Sequence, residues 1–143
     1  MRRATRSFKL RLSTSGMDLL IDCHFHLIRA TRRLISLGTT LHVAVVYVSG
    51  LRAADLGQPL NAIRQSGLAG VEEHHVGAPR ALVHIAASVA ERLGKASGGR
   101  AESLGTVYLF ALHMMRQADA SVLRAVHERV RSSDLLVIQE IDK

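Results

Sequence analysis

Apolar residues recur at helical spacing through most of the chain. In residues 18–37, Leu20, Cys23, Leu27, Leu34 and Ile35 fall near one face, with Arg29, Arg32 and Arg33 toward the other, which predicts a helix. Gly38-Thr39-Thr40 then breaks the pattern and offers an N-cap. The stretch 41–51 carries two conflicting signals. Val43, Val45, Val46 and Val48 favour a strand by propensity, yet a lone strand has no evident partner, so a helix from about Thr40 to Asp55 is preferred. Pro59 suits the first turn of a further helix running to about Glu73, weakened by Gly67 and Gly70.

The second half is plainer. After Gly77 and Pro79, Leu82, Ile85, Val89 and Leu93 form one stripe, ended by Gly94 and Ser97-Gly98-Gly99. Leu104, Val107, Tyr108, Ala111, Met115 and Ala118 form a second. Leu109, Phe110, Leu112 and Met114 make that helix apolar almost all round, as befits the centre of a bundle. Asp119 can cap a last helix carrying Leu123, Val126, Val130, Val137 and Ile141, with Ser132-Ser133 as a candidate kink. Short connections between such elements predict an all-α antiparallel bundle of five to six helices.

Composition narrows the class. Hydrophobic residues make up 48% of 143, but aromatics only 3% with no Trp, so the core is aliphatic. Cys23 is the only cysteine, which excludes an internal disulfide framework. The longest unbroken apolar runs, Val43–Val48 and Val107–Leu112, are six residues each, far short of a membrane span. The expected setting is cytoplasmic, without a membrane.

The net charge of +7 is uneven: residues 1–35 carry +6 and the remainder +1. Residues 1–16 hold five basic and no acidic side chains and are expected to be a disordered leader on a single domain at 17–143. A targeting peptide, a short phosphate-binding arm and an over-extended start, with Met17 first, fit the same composition.

Chemistry-bearing patterns are sparse. Asp22-Cys23-His24-Phe25-His26 contains an H-x-H pair, but on a helix the two imidazoles point about 200° apart and cannot share a metal. His74-His75, after Glu72-Glu73, is expected in a solvated turn. His84, His113 and His127 lie singly in helices. Cys23 has no neighbour that would activate a thiol and is expected to be a small buried residue. No phosphate-cradling glycine loop, nucleophile elbow or zinc-helix motif occurs. A non-enzymatic protein without cofactor or metal is expected.

The stretch 60–131 resembles the flagellin-specific export chaperone family. Gly98-Gly99 is followed after one residue by Ala101-Glu102-Ser103-Leu104-Gly105-Thr106-Val107-Tyr108-Leu109-Phe110, similar to the family's double glycine and A-x-N-L-x-x-L-Y-x-Y helix. Ala118-Asp119 stands where that family has an A-N pair, and Leu123 and Val126 match apolar positions of its last helix. Ser103 replaces the usual Asn, one residue is missing after the glycines, and residues 1–35 do not align. The resemblance implies a cytoplasmic helical chaperone, monomeric or homodimeric, that holds the disordered C-terminal segment of flagellin and prevents premature polymerisation. An aliphatic groove between helices would take such a segment, and Val46, Tyr47, Leu51, Ile85 and Val89 are its candidate lining. The alternative is a small helical interaction module of unknown partner, contacting nucleic acid through the basic leader. For the nearly neutral body, nucleic acid is not an expected partner.

Overall fold

Alternation, not composition, decides the N-terminus. In Ser7–Leu12 the side chains of Phe8, Leu10 and Leu12 are buried while Ser7, Lys9 and Arg11 face solvent, the period of a half-buried strand. The computed structural model describes residues 5–96 and 98–141, with side-chain surroundings given for 7–57, 59–96 and 98–132. Strand β1 spans Thr5–Leu12 and pairs antiparallel with β2, Glu72–Pro79, in a register that sets Phe8 opposite Val76 and Arg11 opposite Glu73.

This ribbon corrects two expectations. Residues 5–12 are not a disordered leader, and the domain does not begin at Met17; residues 1–4 lie outside the described residues. The stretch 72–79 is neither the end of a helix nor a solvated turn. The two-stranded sheet also means the fold is mostly helical without being all-α. A two-stranded ribbon is marginal alone. Here Phe8, Leu10, Leu12, Val76 and Ala78 are buried in the common core, and Phe8 meets Tyr108 edge-on, ring centres 5.9 Å apart. On the outer face Lys9 Nζ and Arg11 Nη2 lie 3.6 and 3.0 Å from one Glu73 carboxylate oxygen. Lys9 above all, then Arg11, holds that carboxyl below its usual range. Lys9 and Arg11 therefore decorate a paired ribbon and are not part of a free arm.

Six helices complete the fold. Helix α1, Thr14–Thr31, starts at Ser13, whose hydroxyl accepts the Gly16 N–H at 3.1 Å, and stops at Arg32 in the left-handed region (φ 56°). Leu34 thus falls beyond the helix and is 99% exposed, off the core stripe assigned to it. Helix α2, Leu37–Ser49, settles the conflict over 41–51 in favour of helix. Leu41, Val43, Ala44, Val45 and Val48 are all buried, so packing overrides β propensity. A 3-10 turn at Ala53–Asp55 and α3, Gly57–Gln65, precede β2. Then come α4, Ala81–Ala96, α5, Leu104–Arg116, and α6, Ala120–Ile141, which runs unbroken through Ser132-Ser133. In α5 every residue from Val107 to Leu112, and Met115, is buried; this is the expected central helix, packed on α1, α2, α3 and α4.

Not all neighbours are antiparallel. Residues 36–38 open α2 beside Gly77, just before α4, and the far end of α2 meets Arg92 late in α4, so these two helices run in the same direction. The intervening α3 and β2 return the chain to its starting level. Helices α1 and α6 also run alongside one another in one direction: Asp22 lies near Arg116 (3.8 Å), His26 against Ala118, and Arg33 in a cleft with His127.

Candidate functional site

The five residues expected to line a groove are carried by two helices that pack together. Val46 and Tyr47 lie on α2, Leu51 just past its end, and Ile85 and Val89 on α4, the helix packed against it. Their depths differ. Val46, Tyr47, Leu51 and Ile85 are half-buried and rest on the core, whereas Val89 is 1% exposed. Val89 is thus a floor residue beneath the seam and does not line an open groove. Helical spacing identifies an apolar face but not how far each residue on it sinks.

One polar side chain fixes the seam. Arg92 on α4 reaches over the end of α2, where its guanidinium donates to the Ser49 carbonyl at 2.7 Å and to the Leu51 carbonyl. The last carbonyls of a helix lack intrahelical donors, and a cation there also meets the negative end of the helix dipole. Arg92 therefore caps α2 and holds the two helices in register.

The titratable groups singled out from the sequence are dispersed. On α1, His24 Nδ1 lies 2.8 Å from Thr40 Oγ1, while His26 Nε2 lies 2.7 Å from the Ala118 carbonyl and so must carry the proton there. The two imidazoles tie α1 to different elements. His74 and His75 alternate along β2, the first half-buried near Glu72 and the second exposed. His113 Nε2 accepts from the Gln117 Nε2 amide at 3.0 Å, and burial, then Arg116, pushes its pKa down. Among the described residues no group of three His, Cys, Asp or Glu side chains is placed to hold a metal ion.

Cys23 is fully buried, and its thiol points at the Leu112 carbonyl on α5, 2.9 Å away. Burial pushes its pKa up to about 12, which leaves almost no thiolate at neutral pH. A disulfide reagent at neutral pH is therefore expected to leave native protein unmodified for hours and to titrate one thiol on addition of denaturant. Rapid labelling of native protein would show that α1 and α5 do not pack as described.

Sequence reasoning missed an outer stripe on α1. Ile21 and Phe25, one turn apart, are 43% and 59% exposed, beside the core-facing row of Leu20, Cys23 and Leu27. Their i, i+4 spacing was the available signal, masked by the stronger apolar row next to it. Among the described residues no single helix is long and apolar enough to cross a membrane.

No protein family, no curated protein and no solved structure matches this chain.

Proposed function

We propose that the protein is a non-enzymatic helical interaction module that docks an amphipathic protein segment on the seam of α2 and α4. In its specific form this is a cytoplasmic flagellar export chaperone that holds the C-terminal segment of flagellin. The observation that carries the reading is the half-buried row of Val46, Tyr47, Leu51 and Ile85 over a buried Val89. Such a row presents apolar surface already seated on a rigid core, which suits helix-in-groove recognition at low reorganisation cost. The flagellin-specific form rests only on the sequence resemblance of residues 60–131 to that chaperone family.

A peptide of the last ~40 residues of a cognate flagellin, a length sized to the area a coupled-folding segment buries, is the direct probe. Binding should add helical signal and show a negative heat-capacity change, with weak salt dependence because the contacts are aliphatic. Tyr47→Asp and Ile85→Asp should each weaken it at least tenfold while the protein stays folded, and Phe25→Ser should leave it unchanged. Failure to bind any flagellin terminus at tens of micromolar, about −6 kcal/mol, would overturn the chaperone form. Loss with Phe25→Ser but not with Tyr47→Asp would move the docking surface to α1.

A further inference from the structure

The clearest unassigned site lies where α1 ends, α2 begins and α6 passes. Two adjoining clefts of about 500 and 540 Å³ meet there and share Arg33 and His127. Arg131, Ser36 and Thr39 complete the first; Arg124, Ser121 and Glu128 stand in the second.

Part of the positive charge at this place is unspent. Arg33 is exposed and, like Arg124, makes no ion pair among the described residues. Glu128, the one acid lining the clefts, is held by Arg131 at 3.0 Å. The α2 N-terminus lies at the first cleft; Ser36 caps it by taking the Thr39 N–H, and no acidic residue in its first turn offsets the positive end of its dipole. The independent observation is His127. Its side chain is 4% exposed, it lines both clefts, and it makes no hydrogen bond to the described residues. Buried imidazoles ordinarily find a partner. The His127 ring nitrogens are not among the fully enclosed polar atoms without a partner, so they open to the clefts, where guanidinium groups and a helix N-terminus arrange the ring for a ligand that accepts hydrogen bonds.

We propose that this cleft binds the phosphate group of a small phosphomonoester. The guanidinium of Arg33 supplies planar donors matched to phosphate oxygens, Arg131 adds the N–H groups it does not give to Glu128, the α2 N-terminus adds its dipole, and His127 donates from its ring. Leu34, 99% exposed and lining the same cleft, and half-buried Ile35 offer apolar contact to the organic moiety. A monoester is therefore favoured over the free ion.

The site also has a pH signature. Burial first, then Arg131 and Arg33, holds the His127 imidazole below the usual histidine range, with Glu128 pulling the other way. It is therefore neutral when the cleft is empty at neutral pH. A bound dianion favours the protonated ring, so affinity must rise as pH falls.

Titration calorimetry on the full chain tests this with three probes. A nucleoside monophosphate is expected to bind with Kd below about 1 mM, and inorganic phosphate at least threefold more weakly. Sulfate, a dianion throughout the range, reports the imidazole alone and should bind at least fivefold tighter at about pH 6 than at about pH 8. Arg33→Ser, a surface change, should weaken all three at least tenfold. His127→Gln should abolish the pH dependence, and proton NMR of the His127 ring should show its pKa rising on saturation with sulfate. No saturable binding up to about ten times the expected Kd, or binding indifferent to Arg33→Ser, overturns the proposal. So does duplex DNA displacing the monophosphate at micromolar concentration with a steep salt slope, which would make the cleft part of a nucleic-acid surface.

Discussion

Gly38→Ala is expected to destabilise the protein by at least about 3 kcal/mol, the upper end of overpacking penalties. Gly38 lies in the first turn of α2, where alanine is the better helix former by about 1 kcal/mol. Local propensity therefore predicts a gain. The tertiary contact predicts the reverse: an added Cβ would overlap the Gly77 carbonyl oxygen and sit 2.8 Å from the carbonyl carbon and 3.3 Å from the Ala78 Cα. These are backbone atoms of a strand pinned to β1, so they cannot swing aside as a side chain tip would. Gly77→Ala is the matched control. A Cβ there meets nothing within 4 Å, so stability should change by less than about 0.5 kcal/mol. Urea denaturation of the two variants separates the outcomes. A Gly38→Ala protein as stable as wild type would mean that α2 does not abut β2.

That contact also explains what sequence reasoning could and could not reach. The stripes of α4 and α5 were legible because local spacing alone defines them, and Leu82, Val89, Leu93, Val107 and Met115 are indeed buried. The valine run of α2 was legible as a helix only by the argument that a strand would lack a partner. The ribbon was not, although the same logic applied to it. In β1 the run of basic residues masks the alternation of Phe8, Leu10 and Leu12 with Ser7, Lys9 and Arg11, and in β2 Glu72 to His75 have weak strand propensity. Their pairing spans most of the first half of the chain, and only the pair buries Phe8 against Tyr108. The seam was legible as a face and illegible as a depth, which is why Val89 was grouped with Ile85. The cationic cleft gave no sequence signal at all. Arg33 and His127 come from opposite ends of the chain, and each is unremarkable until α1 and α6 lie side by side.

The second large effect belongs to α5. Phe110→Ala is expected to destabilise by about 3–5 kcal/mol, the range for truncating a buried aromatic. Phe110 is fully buried on a helix whose residues from Val107 to Leu112 are all buried, so no solvent face can relax into the space left behind. Surrounding elements pin that helix: Cys23 of α1 contacts the Leu112 carbonyl, and α2, α3 and α4 pack around it. A cavity there persists, and its walls lose dispersion contacts that water cannot replace. Leu104 is the informative contrast. It belongs to the same apolar stripe in the sequence, but it is only half-buried at the mouth of the cleft beside Val83 and Tyr108. Leu104→Ala should therefore lose only about 1 kcal/mol, half the worth of a fully buried leucine. Equilibrium denaturation with an unchanged slope for both variants would make the comparison clean. Equal losses for the two would show that α5 is buried to its first turn; a Phe110→Ala loss below about 1 kcal/mol would remove α5 from the centre of the fold.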